Sequence, residues 1–307
     1  MEKNQKEDTM PSTSFDSTPQ HVTLIGNKGF VGRNIERHLK AFSNLKIIGL
    51  GKKEIDLTSE ESSYSLRDYI HQDSIVILAS GRKRNQGDNL DLFTINTAMA
   101  VNFCKAVAGI KFKKLVYVSS TAVYGEDVDH NTISEQTPVE PTSFYGMSKY
   151  ISERILFKSL SENVGSLLVL RPPTIYGPDE NANTYGPDLF VDSAIKSKTI
   201  TLWGDGTERR EFLYITDLVK IIISLSLSTC MGVVNIVSGK SYSFVDIIET
   251  IKRLGYYHIQ MCSKERTKKK VDHTFDNAYL INLIGPYAFT SLDHGITNII
   301  NFKGYYE

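Results

Sequence analysis

The sequence contains few cysteines, and their spacing suggests neither a cross-link nor a metal site. The 307 residues include three cysteines, Cys104, Cys230 and Cys262, and no two of them form a Cys-x-x-Cys pair. Scattered cysteines argue against a disulfide framework and against zinc binding, and they are typical of a reducing compartment. We therefore expect no metal site and a cytoplasmic protein.

The sequence also lacks an excess of charge of either sign and a long apolar run. Lys and Arg together number 35, as do Asp and Glu, so the formal charges cancel. No global field then attracts the protein to nucleic acid or to a membrane surface. No apolar run reaches the roughly 18 residues that span a bilayer. We expect neither kind of partner, and any anionic ligand must be bound by local features.

After a polar stretch over residues 1–20, which we interpret as a disordered tail, apolar runs of strand length alternate with helix-length segments. The strand-like runs are HVTLIG, NLKIIGL, SIVILAS, KLVYVSS and SLLVLRP. This alternation predicts an α/β fold with a Rossmann-like, doubly wound parallel sheet. Beyond residue 176 the strands are shorter and turn-forming residues are common. We expect a main domain over residues 21–176 and a smaller C-terminal α/β lobe, intertwined with it, over residues 177–307.

A glycine-rich turn follows the first predicted strand and precedes a predicted helix. Its glycines are Gly26, Gly29 and Gly32. In this setting one glycine makes a tight turn, another lets the backbone approach a pyrophosphate, and the last lets helix and strand pack closely. The pattern predicts that residues 21–176 form an NAD(P)-binding domain.

The end of the second predicted strand indicates which dinucleotide binds. A carboxylate there would bond the ribose 2′-hydroxyl of NAD, but the position holds Gly51, and Lys52 follows it. With Lys28 in the glycine turn, this favours NADP(H) over NAD(H), because lysines suit a 2′-phosphate. A solvated lysine turn with NAD as cofactor stays open as the alternative. Asp56 and Leu57 fall where the chain would close over the adenine.

Hydroxyl groups and a Tyr-x-x-x-Lys pair follow the fourth predicted strand. That strand ends in the sequence VSSTAVYG over residues 118–125, and Tyr145 and Lys149 lie four residues apart in a predicted helix. Residues four apart share a helix face. An ammonium beside a phenol stabilises the phenolate and lowers the tyrosine pKa, which suits proton transfer.

The order of these motifs resembles the extended short-chain dehydrogenase/reductases, in particular the NAD(P)-dependent nucleotide-sugar epimerases, dehydratases and reductases. Three later segments extend the resemblance: LRPPTIYGP over residues 170–178, REFLYITD over residues 210–217 and NIVSG over residues 235–239. The resemblance covers about residues 21–301. It implies a nucleotide-diphosphate sugar as substrate, bound partly by the smaller lobe.

The resemblance also implies roles for single residues. Ser120 matches the catalytic hydroxyl that bonds the sugar oxygen, Tyr145 the acid/base, and Lys149 the lysine that binds the nicotinamide ribose. Arg210 matches an arginine that contacts the diphosphate, unless it only pairs with Glu211 or Asp217. It further implies that Thr121 and Trp203 contact the substrate; the alternative for Trp203 is a place in the apolar core. The cofactor contacts that it implies are Phe30, Val31, Ala79, Asn96, Pro172 and Thr174.

Two neighbours of Ser120 narrow the reaction. Dehydratases of this family carry acidic residues directly after the catalytic hydroxyl, whereas Thr121 and Ala122 stand here, and neither protonates a leaving hydroxyl at neutral pH. GDP-fucose synthase has a Cys two residues past that hydroxyl and a His after the later Tyr-Gly-Pro. Ala122 and Asp179 stand here instead. Dehydration and double epimerisation are therefore disfavoured.

Two reactions remain open on Ser120, Tyr145 and Lys149. The first, which we favour, is NADPH-dependent reduction of a 4-keto nucleotide-activated 6-deoxy sugar with tyrosine as proton donor. The second is NAD-dependent 4-epimerisation. A dinucleotide-binding regulator without catalysis is disfavoured because all three residues are present. The family commonly dimerises through two helices, predicted here near residues 89–108 and 146–161, so we expect a homodimer.

Overall fold

A six-stranded parallel sheet forms the centre of the molecule in the computed structural model, which describes residues 20–130, 132–180, 185–256 and 258–304. Its strand order is β2-β1-β3-β4-β5-β9, and every neighbouring pair is parallel. Its strands are β1 (Gln20–Ile25), β2 (Leu45–Leu50), β3 (Ile75–Leu78), β4 (Phe112–Val118), β5 (Val164–Arg171) and β9 (Gly232–Asn235). The sheet confirms the predicted Rossmann-like fold, and each strand-like run of the sequence forms one of its strands.

Helices cover both faces of this sheet. In chain order, the helices of the described residues are α1 (Phe30–Leu39), α2 (Glu60–Ser63), α3 (Leu90–Val107), α4 (Phe144–Leu160), α5 (Pro187–Ile195), α6 (Ile215–Leu227), α7 (Phe244–Arg253), α8 (Ala278–Ile284) and α9 (Leu292–Gly304). Of these, α5, α7 and α9 pack in the smaller lobe and not on the central sheet. Successive residues of a strand point to opposite faces. Accordingly Ile75 and Ile77 enter the layer with α1 and α6, whereas Val76 and Leu78 enter the layer with α3 and α4.

The smaller lobe lies beyond β5. It contains β6 (Thr174–Tyr176), β8 (Arg209–Tyr214) and β10 (Ser241–Ser243) in one sheet, and β7 (Ile200–Trp203) paired with β11 (Met261–Lys264) in another. A separate apolar core joins these strands to α5, α7 and α9. However, β9 and α6 also lie beyond residue 176, and they belong to the central sheet and its helical layer. The two parts of the chain therefore interleave.

The residues of the predicted tail lie outside the described part of the chain, except Gln20, which begins β1. Within the described ranges, no helix combines the length and apolar character that crossing a membrane requires. The same ranges contain no group of three or more His, Cys, Asp or Glu side chains arranged to hold a metal ion.

The helix N-termini differ in a way that positions the site. The side chains of Asn89, Ser143 and Ser243 cap α3, α4 and α7. At α1 the N-cap residue is Gly29, which has no side chain to accept a bond from the first turn. The N–H groups of that turn therefore have no side-chain cap, at the edge of the sheet where the parallel strands end.

Candidate active site

A cavity of about 870 Å³ lies between the carboxyl ends of the central strands and the smaller lobe. It is the place where doubly wound sheets bind ligands. The structure brings these predicted site residues to its wall: Gly29, Phe30, Val31, Ala79, Ser120, Thr121, Tyr145, Lys149, Pro172, Thr174, Trp203 and Arg210. The remaining ones, Gly26, Gly32, Lys52, Asp56, Leu57 and Asn96, do not line it.

The glycine turn fits the pyrophosphate of a dinucleotide. Gly26 has a φ of 94°, and a Cβ atom there would lie 2.8 Å from the Ser80 nitrogen. A Cβ on Gly32 would lie 2.1 Å from the Gly26 oxygen, so only glycine allows this close approach of helix and turn. The uncapped N-terminus of α1 faces the cavity through Gly29, and oriented N–H groups there suit an anion.

The end of β2 contains a carboxylate that the sequence motif does not show. Glu54 accepts a hydrogen bond from the Gly51 N–H at 2.8 Å, and its Oε2 atom lies 3.0 Å from the place of a Cβ on Gly51. The Lys28 side chain lies beside the same point. Lys52 is exposed and pairs with Asp56 at 3.5 Å. Both lysines and one carboxylate therefore surround Gly51.

Asp56, Leu57 and Asn96 have local partners instead of facing the cavity. Asp56 accepts bonds from the N–H and the hydroxyl of Thr58, and the buried Leu57 offers its carbonyl to Asn102. The Asn96 side chain bonds both the N–H and the carbonyl of Arg82. Asn96 therefore shapes the segment after β3, and it touches the cavity only through that segment.

The two serines that follow β4 point to different places. The Ser119 hydroxyl donates to Glu153 in the interior, so it is not available to a substrate. Ser120 lines the cavity, and its oxygen accepts from the Ala122 N–H at 3.1 Å at the start of a short 3-10 helix (Thr121–Tyr124). Ser119 also borders the cavity, but its hydroxyl is bonded to Glu153, so the structure distinguishes the two serines by the partner of each hydroxyl.

Tyr145 and Lys149 lie in the first two turns of α4. The Lys149 ammonium lies 5.9 Å from the Tyr145 ring centroid and donates to the Val118 carbonyl at 2.8 Å. Burial raises the pKa of Tyr145 to about 12, although a hydrogen bond with Ser120 lowers it. Burial lowers the pKa of Lys149 to about 8, while the charge of Glu153 raises it. The lowering of the tyrosine pKa that was expected from Lys149 is therefore not found, and burial of the phenol raises this pKa instead.

On the lobe side, Arg210 and Trp203 both face the cavity. Arg210 pairs with Glu208, and it also donates to the Glu126 carbonyl at 3.3 Å, so its carboxylate partner is neither of the two expected. Trp203 is 39% exposed, which excludes the core interpretation. The Lys264 ammonium lies 4.7 Å from the centre of its ring.

The motifs did not reveal the charged groups that line the cavity after β3. Lys83 and Arg84 follow β3 and line the cavity, where they pair with Glu180 and Glu126 respectively. The signal was present as the run Arg-Lys-Arg at residues 82–84, which falls at the carboxyl end of a central strand. Such positions are where parallel sheets bind ligands.

The chain matches a protein-family model over residues 22–236, described as the NAD dependent epimerase/dehydratase family. A putative UDP-glucose 4-epimerase of Methanocaldococcus jannaschii is 27% identical over 302 residues, covering 92% of this chain and 97% of that protein. The GDP-L-colitose synthase of Yersinia pseudotuberculosis is 25% identical over 305 residues and covers the same 92% and 97%. These matches confirm the resemblance inferred from the motifs.

Solved structures show the same fold. A UDP-glucose 4-epimerase of Thermus thermophilus in complex with NAD has a TM-score of 0.80 at 19% identity, covering 92% of this chain and 98% of that one. The NDP-hexosamine 5,6-dehydratase TunA of tunicamycin biosynthesis also has a TM-score of 0.80, at 22% identity, with 93% and 98% covered. Together with the family match and the cavity geometry, these likenesses lead to one conclusion. The chain belongs to the NAD-dependent epimerase/dehydratase family.

Proposed function

We propose that the protein reduces the 4-keto group of a nucleotide-activated 6-deoxy sugar with NADPH. The observation that carries the proposal is the grouping of Ser120, Tyr145 and Lys149 on the wall of one cavity. In the sequence, Ser120 is followed by Thr121 and Ala122, and neither is an acid. Each carboxylate that lines the cavity has a partner at one oxygen: Arg84 binds Glu126, Lys83 binds Glu180, and the Ser238 N–H binds Glu211. The second oxygen of each has no hydrogen-bond partner among the described residues. The lack of an acid directly after Ser120 is therefore what supports chemistry at a single carbon.

The three residues would divide the work as follows. A bound dihydronicotinamide supplies the hydride to C4. Tyr145 donates its phenolic proton to the C4 oxygen, and Ser120 holds that oxygen by a hydrogen bond. Lys149 stabilises the resulting phenolate by its charge. The raised pKa of about 12 keeps Tyr145 protonated at neutral pH, which is the state that a proton donor needs before reduction.

Two further roles belong to the same proposal. Arg210, a planar cation with several donors, binds the diphosphate of the substrate. Trp203, exposed on the cavity wall, stacks against the base. Lys28 and Lys52 beside Gly51 bind the 2′-phosphate of NADPH. The Glu54 carboxylate at the same place would instead favour the 2′-hydroxyl of NAD, so the ratio of the NADPH and NADH dissociation constants, in the wild type and in Lys28→Ala, tests this point.

A second candidate is NAD-dependent 4-epimerisation. Two of the similar proteins are named UDP-glucose 4-epimerases, one of them bound to NAD. Ser120, Tyr145 and Lys149 would serve this reaction too, with Tyr145 first accepting and then returning a proton. The candidate requires tight retention of the cofactor, because the hydride taken from the sugar must return to it.

One experiment separates the two reactions. The protein is incubated with NADPH and a panel of 4-keto-6-deoxy sugars linked to UDP, GDP, dTDP or CDP, while the NADPH absorbance is followed. We expect NADPH loss equal to the sugar reduced. Turnover of a sugar without a keto group and without net NADPH loss contradicts the reductase and supports the epimerase. Tyr145→Phe, which keeps the ring, is expected to bind NADPH but to lose turnover about 100- to 10,000-fold.

We also propose that two copies of the chain associate through α3 and α4. These helices pack side by side, and four large apolar side chains on them are exposed: Leu90, Phe144, Met147 and Ile151. A second copy would cover this stripe. Sedimentation of the wild type as a dimer and of Met147→Glu/Ile151→Glu as a monomer is the expected result. A monomeric wild type contradicts it.

A further inference from the structure

A buried chain of hydrogen-bonded side chains lies behind the cavity wall that carries Ser120. We call it the core network: Ser119, Tyr124, Glu153, Arg171 and Asn235. Arg171 donates to both carboxylate oxygens of Glu153, at 3.0 and 2.6 Å, and to the Tyr124 hydroxyl at 2.9 Å. That hydroxyl donates to Asn235 at 2.8 Å, and Ser119 donates to Glu153. Within the core network, every polar side-chain atom except the Asn235 amide nitrogen has a hydrogen-bond partner.

The core network joins elements that are distant in sequence. Its residues come from the ends of β4, β5 and β9, from the short 3-10 helix and from the middle of α4. All five residues are buried. An ion pair buried this deeply is often no more stabilising than apolar residues of the same volume, because both charges lose their hydration. Stability alone is therefore a weak reason for its presence.

Each end of the core network adjoins a candidate catalytic residue. Ser119 precedes Ser120, and Glu153 lies one turn of α4 beyond Lys149. Backbone bonds hold Ser120 on both sides, because the Ser119 N–H donates to Leu170 at 2.7 Å and the Thr121 N–H donates to Pro172 at 2.9 Å. Two side-chain bonds link this strand end to α4: Lys149 donates to the Val118 carbonyl, and the Ser119 hydroxyl donates to Glu153. The second is the one made by a side chain next to Ser120.

We propose that the core network positions the catalytic residues: the Ser119–Glu153 bond sets the place of Ser120 relative to Tyr145 and Lys149. The inference rests on the proposed hydride chemistry, in which the hydroxyl and the phenol must hold one substrate oxygen between them. Geometry of this kind is sensitive, since a displacement of about 1 Å can cost about 100-fold in rate. Arg171 compensates the charge of Glu153, and Tyr124 fixes Arg171.

The test removes the Ser119 hydroxyl alone. In Ser119→Ala we expect kcat to fall roughly ten- to a hundredfold, with KM and the NADPH dissociation constant unchanged. The matched control is Ser226→Ala: Ser226 is also buried, and its hydroxyl donates to the Ile222 carbonyl at 2.6 Å, within α6. Both variants lose one buried hydrogen bond, so equal losses of stability but a selective loss of kcat in Ser119→Ala support the positioning role.

A second variant and a structural measurement make the result independent of one substitution. Tyr124→Phe removes the hydroxyl that fixes Arg171, and we expect a smaller fall of kcat, again without a change of KM. In crystals of Ser119→Ala the Ser120 hydroxyl should move relative to the Tyr145 hydroxyl, whereas in Ser226→Ala it should not. Control-like kcat and unmoved hydroxyls overturn the inference. A wild type that binds NADPH but turns over no sugar contradicts the proposed function instead. The positions of the hydroxyls in the crystals still decide whether the core network positions Ser120.

Discussion

Two networks of charged side chains near the cavity differ in exposure: one is buried behind its wall, and one is exposed on loops close to the lining residues Glu126 and His273. The core network lies under the catalytic wall, where the Arg171 and Glu153 side chains are 6% and 2% exposed. The second, which we call the loop clasp, consists of the pairs Lys268–Asp127 and Lys269–Asp129 between the loop after β11 and the loop after the 3-10 helix. The Lys269 and Asp129 side chains are 80% and 66% exposed.

This contrast in exposure decides what each network can do. Charges in water interact weakly, and salt screens them. Charges in the interior interact strongly, but only while every member is present. We therefore expect the core network to control folding and catalytic geometry, and the loop clasp to adjust how readily the cavity closes around a substrate.

The largest effect should come from breaking the core network. Arg171→Met leaves the Glu153 carboxylate buried without its cation, and we expect the free energy of unfolding to fall by about 3–5 kcal/mol. Lys268→Met makes the same chemical change in the loop clasp, and there the loss should stay under about 1 kcal/mol. Urea unfolding of both variants measures the difference. Similar losses would remove the distinction between the two networks.

Replacing both charges of the core network sharpens the comparison. Glu153→Leu/Arg171→Met substitutes apolar side chains of similar volume, so most of the stability lost in Arg171→Met should return. The Ser119 hydroxyl still lacks its acceptor, and kcat should therefore remain roughly ten- to a hundredfold low. Unfolding and steady-state rates are measured on the same preparation. Recovery of both quantities together would mean that the core network serves stability alone.

The sequence predicted the central sheet and the candidate catalytic residues, but neither of the two networks. Alternating strands and helices identified the sheet, and the motifs singled out Ser120, Tyr145 and Lys149, which line one cavity. The same motifs did not distinguish the partners of Ser119 from those of Ser120. That distinction depends on which way each side chain leaves the strand, and Glu153 is 34 residues away from Ser119.

The smaller lobe was harder to predict because its contacts join segments far apart in sequence. The basic segment over residues 263–272 has the composition of a solvated loop, yet Lys268 pairs with Asp127, 141 residues earlier. A different miss lies in the main domain, where Glu54 bonds the Gly51 N–H three residues earlier, so the absence of an acid at Gly51 did not mean the absence of a carboxylate there.

Acid should lower the free energy of unfolding through His273, a buried residue that lines the cavity. Burial, with the nearby Arg210 charge adding to it, lowers the pKa of His273 to about 4. The unfolded imidazole takes a proton near pH 6.5, so the stability that His273 contributes is complete above that pH and is lost as the pH falls toward 4. The buried carboxyls of Asp188 and Glu211 have raised pKa values and take up protons over the same pH range, which stabilises the folded state, so the His273 effect has to be measured as a difference. Between pH 7 and pH 5 we expect the wild type to lose about 2 kcal/mol relative to His273→Gln, measured by urea unfolding of both proteins at both pH values.

The smallest effect should come from reversing the charges of the loop clasp. Lys268→Glu/Lys269→Glu should change the free energy of unfolding by less than about 1 kcal/mol, while KM for the nucleotide sugar rises roughly two- to fivefold at low salt. Because salt screens exposed pairs, the KM of the wild type should rise with salt until the two proteins agree. Lys196→Glu, which disrupts an exposed pair with Asp192 in α5, is the matched control and should keep the salt dependence of the wild type. If KM follows salt equally in all three proteins, the loop clasp has no part in closing the cavity, and the core network alone shapes the site.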